Sequence, residues 1–432
     1  MEGMTLKTWQ LGKKIGSGAC SDVYTVKSVI PLKNDNKHQY VMKLSPLPHL
    51  TAAKLKNKKR RKTIEERSVD ALYAEHLLYK NYLQDQCHIP YLPVGAYGED
   101  QGYRFLVIER LGRTLEMVLQ DQGPIPSKTA ARLGLEILET LEQMHVKNIL
   151  YVDVKPENLM LDMDKENKVY CVDFGISDRY VTATGKHKEY KTGTVVGTPT
   201  FLSINCHNGV TCSRRDDVES LLYVLVYLMR GDLPWQKASS DVEGAKIKKA
   251  TSVEQLCASL PREWSAMLTK IRACGFEDRP DYDFYAQHFT KLGGQKGLTT
   301  PFVWGTRKTG KMASKVTLLQ GSSSDNPECK RIKSMDEGMT ARPLGTTNIK
   351  KTAPPEKKKT RPRYSKAPAK VAALGNDITP KATTKTGKNH EDGLVEHVNV
   401  LPKDREVFKA IASHAAATAA VKRYSLRSMN RE

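Results

Sequence analysis

Large aliphatic and aromatic side chains crowd into roughly the first three hundred residues of this 432-residue chain and thin out beyond about residue 306. Only that first part can bury enough apolar surface to offset the entropy of ordering a backbone, so it alone is expected to fold. The remainder, 306–432, is dominated by Lys, Arg, Thr, Pro and Ala, with "TAPPEKKKTRPRYSKAPAK" as its most biased stretch. It reads as a basic, low-complexity, mostly disordered tail, with an Ala-rich segment near 405–424 that has the composition of a short helix. Charge divides the same way. Residues 301–432 hold 27 Lys and Arg against 12 Asp and Glu, so +15 of the formal +21 lies there.

Two further features bound the class. Eight cysteines occur without C-x-x-C spacing or an accompanying His cluster, so free thiols in a reduced compartment are expected rather than a zinc site. The N-terminal "MEGMTLKTWQLGKKIG" is polar and gives no secretory signal, and the longest apolar run, Leu221–Met229, is too short to span a bilayer. That run reads as a buried core helix, and no membrane attachment is expected.

Within the folding part, "WQLGKKIG", "SDVYTVKSV" and "QYVMKLS" have strand character and are separated by polar, Gly-containing turns. "ERSVDALYAEHLLYKNYL" has a helical pattern, "YRFLVIERLG" reads as a strand, and "SKTAARLGLEILETLEQMHVKN" carries apolar residues at helical spacing. A short strand, "KVYCVDFG", follows, and from Gly175 to about Leu292 the pattern is expected to be mostly helical. The order is a strand-rich lobe containing one helix, then a helix-rich lobe.

"YVDVKPENLML", Tyr151–Leu161, places a carboxylate, an ammonium and a carboxamide as D-x-K-x-x-N. Phosphoryl transfer needs those three groups: a carboxylate facing the attacking hydroxyl, a cation near the transferring phosphate, and an oxygen ligand for a metal. Asp153, Lys155 and Asn158 match these roles. "DFG" at Asp173-Phe174-Gly175 supplies a second carboxylate on a tight turn after a strand, suited to Mg2+. Upstream, Gly16 and Gly18 in "IGSGACSDV" would let backbone N–H groups approach phosphates. Lys43 in "VMKL" would reach them from a strand, and Glu75 on the first helix would pair with Lys43. Singly, each signal has a plain alternative: an ordinary hairpin, a solvated lysine, a chance tripeptide. Chance does not produce the ordered set.

On those motifs the chain resembles a eukaryotic protein kinase over roughly residues 9–297. The resemblance implies an α+β, bilobal fold: a small antiparallel β lobe over about 9–109 and a helix-rich lobe over about 110–300. It implies ATP and Mg2+, with Ile15, Gly16, Ser17, Gly18, Val23, Lys43, Glu75, Glu109 and Leu111 at the nucleotide. Asn158 and Asp173 would hold the metal, and Asp153, Lys155, Asn158 and Thr198 would serve catalysis. Ser203-Ile204-Asn205 in place of A-P-E, then "SRRDD" and "FEDRPDYDFY", resembles the casein kinase 1 superfamily. The hinge "YRFLVIERLG" and the basic tail are more similar to the vaccinia-related kinases. Where most kinases have His-Arg-Asp this chain has Tyr151-Val152-Asp153, so the arginine that receives an activation-loop phosphate is absent. An enzyme that needs no such phosphate is expected, its loop held by packing and by Thr198 bridging Asp153 and Lys155. Tyr151 and Val152 as mere core-packing substitutions fit equally well.

Several expectations depart from the pattern. Ser21 replaces the third glycine of the phosphate loop, and Thr200 stands where casein kinase 1 enzymes keep an anion-binding arginine, so a primed-substrate preference is not carried over. Arg214 and Arg215 read as anion ligands or as salt-bridge partners of the Asp216/Asp217 region. Asp217 is expected to cap the buried helix below the catalytic loop. The whole suggests a monomeric serine/threonine kinase, mainly nuclear with some in the cytoplasm, that acts on protein substrates such as histones or other chromatin proteins. The basic clusters "KNKKRRK" and "KKKTRPR" fit a nuclear import receptor and weak electrostatic association with DNA. A pseudokinase scaffold and a chromatin-binding adaptor acting through the tail are the rival readings.

Overall fold

Alternation of side chains along the β-strands sets the first lobe. In the computed structural model, residues 1–18, 21–31, 38–48, 62–193 and 195–305 are described, and all fall in one compact unit. The expected tail and its helix near 405–424, most of the basic run 54–62, and Cys20 and Cys329 lie outside the described residues. Strands β1 (Thr5–Leu6), β2 (Trp9–Ser17), β3 (Asp22–Ser28), β4 (Tyr40–Pro46), β5 (Tyr97–Asp100) and β6 (Tyr103–Glu109) form one sheet in the order β1-β2-β3-β4-β6-β5, antiparallel throughout. On β4, Tyr40, Met42 and Leu44 join the cluster of Trp9, Leu11 and Phe105, whereas Val41 joins the larger core with Leu72 and Leu78. Period-two alternation therefore puts Lys43 on the Val41 face, toward helix α1 (Ile64–Leu78).

Helix α1 starts at a capping box: the Thr63 N–H donates to Glu66 Oε2 at 2.7 Å, and the Glu66 N–H to Thr63 Oγ1 at 3.2 Å. Val69, Leu72, Glu75 and Leu78 recur every third residue on its buried side, which aims Glu75 at the sheet. The helix ends in one π-turn, Tyr79–Leu83, with both end residues fully buried.

The second lobe is built on α2 (Leu115–Gln122), α3 (Ser127–Val146), α4 (Ile204–His207), α5 (Arg214–Arg230), α6 (Asp241–Ala250), α7 (Val253–Leu256), α8 (Arg262–Arg272) and α9 (Tyr282–Lys291). The run Leu221–Met229 is buried within α5 as its apolarity demands. Among the described residues no helix is long and apolar enough to cross a membrane. Short strands β7 (Ile149–Leu150) and β10 (Asp178–Arg179) pair, as do β8 (Leu159–Leu161) and β9 (Val169–Cys171). Because β8 starts right after Asn158 and β9 ends two residues before Asp173, their antiparallel pairing brings the two motif loops side by side.

The structure corrects two expectations. Helix does not resume after Gly175: in segment 176–203 the described residues hold β10 and irregular backbone, and among the described residues helix begins only at Ile204. Its Thr-, Gly- and Lys-rich middle lacks helical periodicity, and its few apolar residues, Tyr180, Val181 and Val196, pack on Leu150 and Val152 instead. Packing also runs past both limits of 9–300. Leu6 is fully buried, Phe302 lies under the Arg132 guanidinium at 4.1 Å, and the Trp304 indole donates to Glu166 Oε2 at 2.9 Å.

Candidate active site

Lys43 and Glu75 meet across the gap between sheet and helix. Lys43 Nζ donates to Glu75 Oε1 at 2.7 Å and Oε2 at 2.9 Å, and lies 3.4 Å from Asp173 Oδ1. Burial alone would lower the Lys43 pKa; the Asp173 and Glu75 carboxylates outweigh it and hold the group above its ordinary value. Burial raises the Glu75 pKa, opposed by Lys43. Phe174 is fully buried between Tyr79 and Tyr151, its ring centroid 5.3 and 5.1 Å from theirs, and this packing fixes the turn that presents Asp173.

The catalytic-type loop is held from below by one carboxylate. Asp217 Oδ2 accepts the Tyr151 N–H and Oδ1 the Val152 N–H, each at 2.8 Å, and His145 Nε2 donates to Oδ2 at 2.8 Å. Asp217 thus accepts backbone N–H bonds as expected, but from the loop and not from a helix end. The cap of α5 is Ser213, and Asp216 closes its capping box, accepting the Ser213 N–H at 2.8 Å and also the Ser203 hydroxyl at 2.6 Å. Asp216 is three residues beyond the cap residue and can reach back to it; Asp217 is one further on and turns toward the loop. Val152 adopts φ 71°, a left-handed conformation that a β-branched residue keeps only under constraint. Tyr151 is fully buried and its hydroxyl donates to the Val172 carbonyl at 2.6 Å, which ties this loop to the Asp173 turn.

Above this support, Asp153 is bracketed. Thr198 donates to its Oδ1 at 2.7 Å and Lys155 Nζ lies 2.7 Å from Oδ2. The expected bridge is corrected: the Asp153 carboxylate, not the Thr198 hydroxyl, joins Thr198 and Lys155, one on each oxygen. Burial would lower the Lys155 pKa, but Asp153 outweighs it and raises it. Asn158 Nδ2 donates to the Asp153 backbone carbonyl at 3.1 Å, leaving its Oδ1 for another partner.

A cavity of about 430 Å³ is lined by Gly18, Val23, Lys43, Glu75, Asp153, Lys155, Asn158, Asp173 and Thr198 among the expected residues. Ile15, Gly16, Ser17, Glu109 and Leu111 are not on that wall. Ile15 is half exposed, Ser17 donates to Asp22 at 2.6 Å, and Leu111 is buried. The Glu109 carboxylate is engaged by His38 at 3.0 Å and the Tyr91 N–H at 2.9 Å. A Cβ added at Gly16 or Gly18 would meet nothing closer than 3.8 and 3.5 Å, so the protein itself leaves room there for a ligand to approach. Ser21 lines the cavity in the third glycine's place.

Sequence reasoning missed Ala71, Leu72, Val172 and Gly197 on the same wall. The first two lie one turn before Glu75 on its helix, so its spacing would have found them. Gly197 has φ 99°, and a Cβ there would lie 2.8 Å from Leu202 Cδ2 and 3.1 Å from the Val152 carbonyl. Arg214 and Arg215 are structural. Arg214 stacks on Tyr180 at 4.6 Å, while Arg215 donates to the Cys274 carbonyl at 2.7 Å and lies 3.9 Å from Asp216.

Among the described residues no group of three or more His, Cys, Asp or Glu side chains is placed to hold a metal ion. Asn158 and Asp173 on the cavity wall offer two oxygen donors. That sparse set suits Mg2+, which keeps waters and takes phosphate oxygens, better than a metal needing a full protein cage. Compared with known families, residues 9–288 match the family model described as protein kinase domain.

Proposed function

The chain belongs to the protein kinase family, and on that premise we propose that it is an active serine/threonine kinase of the casein kinase 1 superfamily, nearest the vaccinia-related kinases. The observation that carries this reading is the assembled set Lys43–Glu75, Asp173 with Phe174 buried behind it, and Asp153 bracketed by Thr198 and Lys155, all around one cavity. A pseudokinase has no need to keep those six polar groups in register.

Each side chain has a defined task. Asp153 orients a substrate hydroxyl and takes its proton; its Oδ1, bonded to Thr198, retains a lone pair for that hydroxyl, while Oδ2 already takes Lys155 and the Asn158 amide. Lys155 steadies the transferring phosphate and Lys43 the inner phosphates of ATP. Asn158 and Asp173 would hold Mg2+, which would supply neutralising charge to the phosphates when bound. The acceptor would lie along 198–203, whose backbone is pinned: Trp235 Nε1 donates to the Thr200 carbonyl at 2.7 Å, and Lys248 Nζ to those of Pro199 and Leu202 at 2.8 and 2.6 Å.

Independence from activation-loop phosphate draws support from segment 176–203. Lys188 pairs with Asp178 at 2.7 Å, and its N–H donates to the Tyr180 carbonyl at 2.7 Å. The buried Tyr180 donates to the His145 carbonyl at 2.8 Å. An internal ion pair thus stands where a phosphate–arginine contact would otherwise order the segment. The basic charge of the chain favours nuclear location, an import receptor and polyanionic surroundings, with histones or other chromatin proteins as acceptors. The test is transfer of radiolabelled γ-phosphate from MgATP to basic nuclear proteins, with Asp153→Asn alongside. Label on Ser or Thr that disappears in the variant is expected; equal label from both would remove the assignment.

A further inference from the structure

We propose that Cys206 and Cys212 form a modification site, a thiol pair that hydrogen peroxide closes to a disulfide and that thereby loosens the activation segment. The two side chains line one pocket of about 180 Å³ beneath the catalytic loop, beside Leu150, Val152 and Ile176, and the Gly209 N–H of the strap between them donates back to the Cys206 carbonyl at 3.0 Å. Cys206 is buried at the end of the Ser203-capped turn, and Cys212 is partly exposed. Arg179, Lys188 and Lys191 line the same pocket.

The residues between the two cysteines make this more than a local event. Strap 208–211 is what the activation segment leans on. The Gly193 N–H donates to the Gly209 carbonyl at 2.6 Å and the Thr211 N–H to the Lys191 carbonyl at 2.9 Å, and Thr192 bridges Val210. Closing a disulfide draws the sulfurs to about 2.05 Å, which pulls both ends of this short strap together and strains those bonds.

The chemistry balances. The Cys212 thiolate attacks one peroxide oxygen, the O–O bond breaks, and hydroxide leaves as water with the thiol's proton, giving a sulfenic acid. The Cys206 sulfur then attacks the Cys212 sulfur and displaces the second oxygen as water, carrying off its own proton. Two thiols and one peroxide become one disulfide and two waters. Burial, then the neighbouring Cys212, pushes the Cys206 thiol up, so Cys212 is the sulfur that reacts first.

The effect on activity rests on the kinase reading; the bond does not. Both cysteines fall in one tryptic peptide, 192–214. Full-length reduced protein is titrated with hydrogen peroxide, and that peptide's mass and alkylation are followed together with phosphate transfer. Loss of two hydrogens and of both alkylation sites, reversed by dithiothreitol, is expected, with activity falling at least about threefold and recovering on reduction. Cys212→Ser should keep its activity at the same dose, and Cys206→Ala should behave alike. If the peptide keeps both thiols at a dose that has oxidised the exposed Cys87, the site is refuted. If the bond forms but wild type loses no more activity than Cys212→Ser, the regulatory role is refuted. Should the untreated enzyme transfer no phosphate, the kinase reading fails while the mass result still judges the thiol pair.

Discussion

Val152 occupies the most demanding backbone position of the catalytic loop, at φ 71°. A left-handed conformation costs an L-residue about 1–2 kcal/mol, and the two N–H bonds to Asp217 offset it. The bend at Val152 is held by the Asp217 carboxylate through the backbone, not by the side chain at 152. Asp217→Asn puts an amide group against backbone donors, and we expect it to cost about 3 kcal/mol in denaturant unfolding and to remove phosphate transfer with it. A change below about 0.5 kcal/mol would show that the clamp is dispensable. Asp153, Lys155, Asn158 and Asp173 were legible because each sits in a motif of fixed local spacing. The donors to Asp217 were not, because the carboxylate reaches a loop 65 residues upstream that only the fold brings near.

At the scale of elements, helix α6 holds segment 198–203 through the Lys248 side chain. Lys248 is fully buried against Tyr223 and Trp235 and donates to two carbonyls of 198–203. In the sequence it is one lysine among three in "AKIKKA", and nothing local marks it as the buried one. The β4 alternation that aims Lys43 and the α1 spacing that aims Glu75 were readable, because each depends on one element's own period. Burial lowers the Lys248 pKa from 10.5 to about 7. Between those values the unfolded chain binds one more proton than the folded one, so this group makes stability rise with pH across that window. Lys248→Met should remove that rise, read as the difference between urea unfolding curves of wild type and variant at pH 7 and pH 9. Curves that rise in parallel would contradict it. In the activation segment, Lys188→Ala removes the ion pair to Asp178 and should lower peptide phosphorylation several-fold while leaving the unfolding midpoint nearly unchanged.

Over the whole molecule, the contrast in apolar content foretold where folding would concentrate, and packing reaches the last apolar residues before that content falls. Residues 298–304 still carry Leu298, Phe302, Val303 and Trp304; Phe302 is buried and Arg132 donates to the Thr300 carbonyl at 2.8 Å. A chain ending at 305 should keep peptide phosphorylation close to the full-length value. One ending at 297 should lose about 3 kcal/mol or more of stability as Phe302 and Trp304 leave their sites. Equal thermal midpoints for the two would refute the extended boundary. The central claim is a kinase assembled for turnover by its own contacts, with an internal ion pair in place of a phosphate. Its most direct test is the initial rate of phosphate transfer from MgATP to a Ser/Thr peptide by bacterially made, phosphatase-treated protein, compared with untreated protein and with Asp173→Ala. The account predicts that the treated enzyme stays within about tenfold of the untreated one, ~1.4 kcal/mol in the barrier, while Asp173→Ala is inactive. A larger loss on phosphatase treatment, or full activity in Asp173→Ala, would contradict it.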